Sequence, residues 1–565
     1  MRRELMSEEE LKSMLLRMSG SGYGTYKRLY GVAVRFREGF TLRVTKVQGD
    51  PHAPPSVVEV RVPNQVHRFP HHLLHKPNVI PFTDYLTRVL HRVTRSLRRK
   101  CGLGNSCYLG IPKPSPRILP RSSVEVDAND HSLIIRFFAG LPARGRRVEG
   151  REAARLLTRD ARTIIQALLR VREDSMDGVE GHVRNYVRQE ELREWLVREG
   201  YAFFVGDGSI LPRRASFSEE PMRDAVPFKS PPEFRVRVRL PCGDVVEGMA
   251  VKCGVTVITG GAYHGKTTLL EAIQEGIYDH VAGDGRELVV SRRGTVLVKA
   301  EDGRVVHHVD ISSFIRDLPS GTRTDDFSSL DASGSTSMAA SISEAVEAGA
   351  EVMLLDEDTS ATNLLYKDVF MSKLLSDDPI RTLSSQVRDL SRVTGVSVVA
   401  VASATSTLLG EADNALLMRK YVPRDATREA REAREHSSTL RTKYSPPRPR
   451  TYAGVKGLVK VKATSFKIVV EYEDRLKFEL NLRDNPRIVE EGQVRLIAHA
   501  VSKLARVREA TPVRELVKRI NWSLEREGFR AFAPTTHVPP DLTWVDGLDI
   551  VWVLNRLPRA VFKQV

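Results

Sequence analysis

The sequence predicts an α/β protein whose central part is a wound parallel sheet, between an α+β N-terminal domain and a smaller α+β C-terminal region. Strand patterns, of which the first is FRVRVRL, alternate with helical patterns from Phe234 to about Tyr421, as they do in parallel sheets with crossover helices. A chain of 565 residues is too long for a single hydrophobic core. Beyond about residue 425, a charged helix and a Pro/Arg-rich linker interrupt the alternation.

These observations divide the chain into three regions. Residues 1–150 mix short strand patterns with Gly/Pro-rich loops, and the segments Phe40–Val47 and Ser56–Val62 predict a pair of strands. Residues 151–425 contain a charged helical lead-in and then the parallel sheet. Residues 426–565 contain the linker, three strand patterns and an amphipathic helix from Gly492 to Val507, and no motif is recognisable after about Thr511.

The composition indicates a globular protein with a polyanionic partner. Apolar residues make up 41% and charged residues 28%, and no stretch approaches the roughly 18 apolar residues of a membrane span, so we expect no membrane partner. The net charge of +16 favours nucleic acid, although charge alone does not distinguish RNA from DNA or acidic lipid. The cysteines form no CxxC pair, which predicts a reducing compartment without disulfides or zinc; they are Cys101, Cys107, Cys242 and Cys253.

The segment GGAYHGKTTLLEAI fits the phosphate-binding pattern G-x-x-x-x-G-K-[ST]. The strand GVTVIT enters it and an apolar helix leaves it, which separates a P-loop from a chance match. Backbone N–H groups in such a loop wrap around phosphates, and the helix N-terminus adds partial positive charge. We expect Lys266 to reach the β- and γ-phosphates and the Thr267 hydroxyl to ligate Mg²⁺. The predicted nucleotide-binding residues are Gly260, Gly261, Ala262, Tyr263, His264, Gly265, Lys266, Thr267 and Thr268.

The apolar run Val352–Leu355 ends in three consecutive acidic residues, 356–358. The run predicts a buried strand of a parallel sheet. Either the strand surfaces into a solvated turn, or the carboxylates meet a cation that offsets their mutual repulsion. A P-loop nucleotide brings Mg²⁺, which an Asp on a second strand must hold, and this predicts Asp356 as a metal ligand. Glu357 is then predicted to orient or deprotonate the attacking water.

A Ser-rich segment, residues 332–336, opens the helix before the acidic strand. It is consistent with an ordinary N-cap, a position that Ser favours. Its sequence, Ala-Ser-Gly-Ser-Thr, also resembles loosely the Leu-Ser-Gly-Gly-Gln signature of the ABC ATPases, and SATN (residues 360–363) falls where those proteins carry the D-loop. This resemblance implies that Ser333 is catalytic and that Gly334 and Ser335 bind the nucleotide.

The chain is most similar to the predicted ABC-class ATPases that are not transporters. The resemblance covers most of the chain from Ser21 to about Leu504. It implies an ATPase that binds ATP or ADP with Mg²⁺ at a site completed by the signature helix of a second subunit, in a homodimer. The segments that carry it are GYGTYKRLYG, VQGDPHAPPS, GLPARGRR, GDGSILPR, PFKSPPEF, GGAYHGKTTLLEAI, DASGSTS and LLDEDTSATN.

The same family includes a component of the trypanosome mitochondrial RNA-binding complex, an accessory of RNA editing. Resemblance to that component implies a ribonucleoprotein partner and a mitochondrial location. The N-terminal segment has neither a secretory nor a transit-peptide pattern, so the cytoplasm is the alternative.

Two departures from the family pattern favour slow or partner-dependent hydrolysis. ABC enzymes usually place a His after the strand that follows the acidic one, where this chain offers Ser403, Thr405 and Ser406, and no Q-loop glutamine can be placed between Lys266 and Ser333. The alternative to an ATPase is therefore a nucleotide-gated RNA-binding scaffold with negligible turnover. A GTPase is disfavoured because no Asn-Lys-x-Asp motif is present, and a small-molecule kinase because nothing forms an acceptor lid.

Positive charge is concentrated in two segments of the N-terminal region. Residues 86–100 predict a helix with arginines spaced by four, three and four on one face and apolar residues on the other. That face is either solvated or in contact with a phosphate chain. Repulsion among the like charges favours the contact with phosphate. Sparse aromatic residues favour binding to the RNA backbone or duplex shape over sequence readout. With the loop GLPARGRR, the predicted RNA-binding residues are Arg88, Arg92, Arg95, Arg99, Arg144, Arg146 and Arg147.

Overall fold

The computed structural model describes residues 5–367, 374, 377–403, 406–435 and 441–565, and its internal contacts divide the chain into two units. Among the described residues, no helix is both long and apolar enough to cross a membrane. The first unit comprises Met1–Val187, Glu490–His499 and Glu527–Trp544, and the second unit comprises Arg188–Val489, Ala500–Arg526 and Val545–Val565.

The structure places the unit boundary after Val187 rather than at residue 150. The helices beyond residue 150 bury Ala153, Leu157, Ile164 and Leu168 in the same hydrophobic core as the N-terminal sheet. Residues 426–565 form no unit of their own, because their segments are distributed over both units.

The first unit is built on a mixed sheet of seven described strands. The predicted pair is confirmed, because Thr41–Lys46 runs antiparallel to Ser56–Val62. Alternate residues of these strands, such as Leu42, Val58 and Val60, point into the core. The strand order is Met6–Ser7, Ala33–Arg35, Thr41–Lys46, Ser56–Val62, Leu133–Ala139 and Leu109–Gly110, with Val124–Val126 also paired to Leu133–Ala139.

Helices cover this sheet. The first begins with a capping box, in which the Ser7 hydroxyl accepts the Glu10 N–H and the Glu10 carboxylate accepts the Ser7 N–H. The basic helix Val79–Ser96 buries Phe82, Leu86 and Leu90. The main helices are Glu8–Arg17, Val79–Ser96, Gly150–Arg155, Ala161–Asp174 and Met176–Glu199, of which the last runs into the second unit, and shorter turns are Tyr23–Leu29, Asn64–His67 and His71–Leu74.

The structure contradicts the expectation of reduced cysteines for one pair. Cys101 and Cys107 form a disulfide, with their Cα atoms 5.7 Å apart. The loop between them reverses direction through Gly104 and Cys107, which both have positive φ angles. Cys242 and Cys253 are free thiols, as expected.

The second unit contains the predicted parallel sheet, which confirms the α/β fold class. Its strand order is Thr295–Val298, Val352–Asp356, Ser397–Val401, Val255–Gly260, Asn414–Arg419 and Val422–Asp425; neighbours run parallel except the last pair. All five residues of the acidic strand Val352–Asp356 are buried. One strand separates it from the strand that enters the P-loop, so both end at the same edge of the sheet.

The strand predicted from FRVRVRL lies outside the parallel sheet. Arg235–Arg239 is the edge of a four-stranded antiparallel sheet in the order Arg235–Arg239, Val245–Lys252, Tyr201–Gly206 and Val289–Ser291. Its arginines point to solvent because only one face of this edge strand packs on the core. The helices of the second unit include Lys266–Glu275, Gly334–Ala348, Thr362–Leu365, Val387–Thr394, Ser406–Gly410 and Thr427–Glu435.

The C-terminal part contains the three predicted strands as an antiparallel meander, Leu458–Thr464, Lys467–Tyr472 and Lys477–Asn481. The predicted amphipathic helix spans Glu491–Leu504. The segment without a recognisable motif forms the helices Val513–Glu527 and Gly547–Leu554, and the final strand Ala560–Gln564 pairs with Arg450–Val455.

Candidate functional site

The P-loop joins the strand Val255–Gly260 to the helix Lys266–Glu275. Gly260 has a φ of 134° and Gly265 a φ of 92°, both in the region that favours glycine. A Cβ on Gly260 would lie 2.4 Å from the carbonyl oxygen of Met418 on the neighbouring strand. The Lys266 ammonium is nearly buried and donates to the carbonyl oxygens of Gly260 and Gly261 at 2.8 and 2.7 Å. The loop therefore holds its one lysine against two of its own carbonyl groups.

A second turn braces the outer part of the loop. The backbone N–H of Lys420 donates to His264 Nδ1 at 3.2 Å, and the Tyr421 ring would lie 3.3 Å from a Cβ on Gly265. Tyr263 at the tip of the loop has a φ of 64° and is 95% exposed. Of the remaining predicted residues, Ala262 is exposed and Thr268 is half-buried. The contribution of residues 420 and 421 could not be predicted, because they follow a strand about 155 residues away.

The acidic strand Val352–Asp356 ends at the same edge of the sheet as the P-loop. The Asp356 carboxylate accepts the Asp358 N–H at 3.3 Å, and the Thr267 side chain is near enough to lower the pKa of Asp356. Burial raises the pKa of Asp356, and the effects of Asp358 and Thr267 oppose it. A hydroxyl at the start of the P-loop helix and a carboxylate at the end of the acidic strand are oxygen ligands that suit Mg²⁺. The two predicted metal ligands are therefore together.

Glu357 follows directly, and hydrogen bonds from two described residues hold its carboxylate. Its carboxylate accepts the Tyr366 hydroxyl at 3.2 Å and the Ser403 N–H at 2.5 Å. Ser403 is one of the residues at the position where ABC enzymes usually carry a His; Thr405 lies outside the described residues. Sequence reasoning missed Tyr366, for which no motif exists, and found Ser403 only as a departure from the family pattern.

The Ser-rich helix contacts the segment in the D-loop position. Ser333 is the exposed N-cap residue of Gly334–Ala348, and its hydroxyl hydrogen-bonds to that of Thr336 at 3.0 Å. The Ser335 hydroxyl donates to the Asn363 side-chain oxygen at 2.8 Å. Ser333 thus occupies the N-cap position without a side-chain cap bond to the backbone, and the same segment meets residue 363 through Ser335. The signature-like role of the segment stays a prediction.

Only part of the predicted arginine face in the first unit is available to a ligand. Arg88 donates to Asp84 at 2.7 Å and to the backbone oxygen of Ser115 at 2.7 Å. Arg99 pairs with Glu152 and Asp160. Arg92 and Arg95 are exposed. The expectation that four arginines share one free face is thus corrected, because carboxylates of the same unit neutralise the outer two.

The second basic segment forms a hairpin, Ala143–Arg144 with Arg147–Val148. Arg144 is 89% exposed and lies 3.2 Å from Glu149, and Arg147 donates to the Gly20 carbonyl oxygen at 2.9 Å. Arg146 is exposed. All three arginines of this hairpin are exposed.

A P-loop, an acidic strand one strand away and a Ser-rich helix in contact with a D-loop-like segment define a nucleotide-binding domain of the ABC class. Residues 175–451 match the family described as ABC_ATPase, P-loop domain, and residues 8–172 match the ATPase of the ABC class N-terminal domain. The chain thus carries the N-terminal domain and the P-loop domain of the ABC-class ATPases. Residues 468–563 match the MRB1590 C-terminal domain.

One curated relative is the uncharacterized protein MJ1628 of Methanocaldococcus jannaschii. It is 31% identical over 249 residues, which are 42% of this chain and 54% of the relative. The chain therefore spans about half the length of that relative.

Proposed function

We propose that this chain is an ABC-type ATPase that binds Mg²⁺ and ATP at the P-loop, hydrolyses ATP in a homodimer and couples hydrolysis to binding or remodelling RNA or a ribonucleoprotein. The observation that carries the proposal is the position of Asp356, which ends a buried strand one strand away from the strand that enters the P-loop, with Glu357 as the next residue. A P-loop that only bound phosphate would need no second acidic strand at this place.

Each residue has a defined task in this proposal. The loop N–H groups and Lys266 hold the phosphates, and Thr267 and Asp356 hold the metal ion, which supplies positive charge for the phosphoryl oxygens. Glu357 orients the attacking water. Tyr366 and Ser403 position Glu357 through the hydrogen bonds described above.

The exposure of the Ser-rich helix end supports the proposed homodimer. Ser333 is exposed beside residues 360–363, so a second copy can receive it at its own P-loop. A head-to-tail two-fold pairing would complete two sites at once. We expect ATP to favour this dimer more than ADP does.

RNA binding is assigned to the first unit. Arg92, Arg95 and Arg146 offer exposed guanidinium groups, and the net charge of +16 supports a polyanionic partner. The match of residues 468–563 to the MRB1590 C-terminal domain supports the ribonucleoprotein partner, the role in RNA editing and the mitochondrial location that the sequence resemblance implies.

Phosphate release by the purified chain, with and without RNA, tests the proposal. We expect turnover that requires Mg²⁺, is nearly lost in Glu357→Gln and persists in Asp358→Asn, a matched control on the neighbouring exposed carboxylate. ATP binding without turnover in every preparation would favour the nucleotide-gated scaffold, and equal effects of the two variants would remove Glu357 from its role.

Two further experiments test the partners. Mixing Lys266→Ala with Ser333→Arg chains should restore some activity, because each heterodimer contains one intact composite site; a chain that stays monomeric with ATP would refute the homodimer. Arg92→Glu with Arg95→Glu should weaken RNA binding and reduce its salt dependence. The control, Arg35→Glu with Arg43→Glu, makes the same charge change at exposed positions of the sheet. Equal losses in both variants would contradict an assigned RNA surface.

A further inference from the structure

Three histidines of the first unit converge outside any site described so far. His71, His75 and His131 each offer one ring nitrogen, and these three nitrogens lie within 4.8 Å of one another. The Nε2 atoms of His71 and His75 are 3.1 Å apart. We propose that the three imidazoles form a binding site for a divalent transition-metal ion, with Zn²⁺ as the ion that fits best.

The local fold brings the histidines together from two places in the chain. His71 begins the short helical turn His71–Leu74 and His75 immediately follows it, so the two rings lie on the same side of the turn. His131 comes from the loop between the strands Val124–Val126 and Leu133–Ala139, where its φ of 57° turns the chain. A positive φ in a residue other than Gly is uncommon and marks a position that the surroundings hold in place.

The loop that carries His131 is rigidly supported. Arg61 donates to Asp127 at 2.8 Å and to Asp130 at 2.7 Å, which ties both sides of the loop to a strand of the sheet. Buried His67 accepts the Phe69 N–H on its Nδ1 atom at 3.1 Å, so its Nε2–H donates to the His131 carbonyl oxygen at 2.9 Å. Such outer-shell support of ligands is typical of protein metal sites.

The donor set determines which ion fits. Three neutral imidazoles suit Zn²⁺, Cu²⁺ or Ni²⁺, whereas Mg²⁺ and Ca²⁺ require oxygen ligands. Zn–N bonds of about 2.0–2.1 Å in tetrahedral geometry separate the ligand nitrogens by about 3.3 Å. The 3.1 Å between His71 and His75 is already close to that value, and the His131 nitrogen lies within 4.8 Å of both. The His131 Nδ1 atom is buried without a hydrogen-bond partner among the described residues.

The competing explanation is a cluster of three rings in tilted and edge-on contact, with a hydrogen bond between His71 and His75 and no metal ion. The ring centroids are 4.3 to 5.1 Å apart, close enough for aromatic contact alone. The two explanations differ in their consequence for binding, because only the metal site gives the protein an affinity for Zn²⁺ that depends on these three residues.

Zn²⁺ titration of the chelator-treated, nucleotide-free full-length chain distinguishes them, by calorimetry and by the visible spectrum of bound Co²⁺. We expect His75→Ala and His131→Asn to lower the affinity of one Zn²⁺ site at least about 10-fold. Asn is chosen at position 131 because it tolerates a positive φ. His72→Ala is the matched control, since exposed His72 is adjacent in sequence but pairs with Glu180 at 2.9 Å.

The proposal holds if wild type and His72→Ala bind one Zn²⁺ with the same affinity, both cluster variants lose that binding, and millimolar Mg²⁺ does not compete. It is overturned if wild type shows no such site, if the cluster variants bind as wild type does, or if His72→Ala loses as much as they do. Far-ultraviolet circular dichroism of each variant establishes that it is folded, so that a loss of binding reports on the ligands.

Discussion

Replacing Gly260 by Ala tests whether the P-loop geometry depends on the neighbouring strand. Gly260 is the last residue of the strand that enters the loop, and it lies opposite Met418 in the parallel register. The added Cβ would lie 2.4 Å from the Met418 carbonyl oxygen, a distance at which the two strands must separate. The carbonyl oxygen of Gly260 itself accepts a hydrogen bond from the Lys266 ammonium. A displacement of Gly260 therefore also moves the phosphate-binding lysine.

Two contributions set the expected loss in free energy of unfolding for Gly260→Ala. An L-residue at the φ of Gly260, 134°, costs about 1–3 kcal/mol. Separating the strands weakens a ladder hydrogen bond, which costs about 0.5–1.5 kcal/mol. We therefore expect Gly260→Ala to lower the free energy of unfolding by about 2–4 kcal/mol, and to weaken ATP binding at least about 10-fold because the loop N–H groups move.

Gly261→Ala is the matched control. A Cβ there would lie 3.6 Å from the nearest atom of the His264 ring, an ordinary contact, and Gly261 lacks a positive φ. Its free energy of unfolding should change by less than about 0.5 kcal/mol. Denaturant unfolding of both nucleotide-free variants measures the difference, and ATP titration measures the affinity. Equal stability of the two variants would refute the argument from strand contact.

Three further predictions concern single side chains. Lys266→Ala should abolish ATP binding because the loop loses its cation, and titration calorimetry giving wild-type affinity would contradict this. Tyr366→Phe should alter turnover while leaving ATP affinity unchanged, because only a hydrogen bond to Glu357 is lost; steady-state kinetics with unchanged turnover would contradict its positioning role. Despite opposing burial, Arg556 lowers the pKa of Glu301 to about 2, so this pair stabilises the fold above pH 4.5 and the effect is lost as the pH falls toward 2. Arg556→Met should lower the free energy of unfolding by about 3–5 kcal/mol at pH 7 and by less at acid pH. Unfolding experiments that give the same loss of stability at every pH would contradict the pairing.

The parallel sheet could be predicted because its strands are buried on both faces and therefore appear as continuous apolar runs. Val352–Leu355 is such a run, and its place in the sheet is confirmed. The succession of strand and helix patterns predicts Arg235–Arg239 as part of the same sheet. Arg and Val alternate in it, however, and this alternation is typical of a strand with one solvated face. Pattern alone therefore contained the information that would have placed it in the antiparallel sheet.

The candidate site divides in the same way between local and distant contributions. The P-loop and the acidic strand end are contiguous segments, so their spacing reveals their chemistry. Residues that hold them in position come from elsewhere in the chain, as Ser403 does for Glu357 and Lys420 does for His264. Such contacts depend on the packing of loops at one edge of the sheet, and a single sequence records no trace of it.

The charges of Arg88, Arg92, Arg95 and Arg99 could be predicted only in part from the sequence. Repulsion among four like charges favoured a phosphate ligand, but Asp84 neutralises Arg88 from four residues away in the same helix, a spacing visible in the sequence. Arg99 meets Glu152 and Asp160, which sequence distance concealed. The repulsion that remains is between Arg92 and Arg95. Since each neutralised phosphate contributes roughly one to the salt slope of binding, this helix can account for a slope of about 2 rather than 4. A larger slope would have to come from the hairpin with Arg144, Arg146 and Arg147, or from other basic surfaces of the chain.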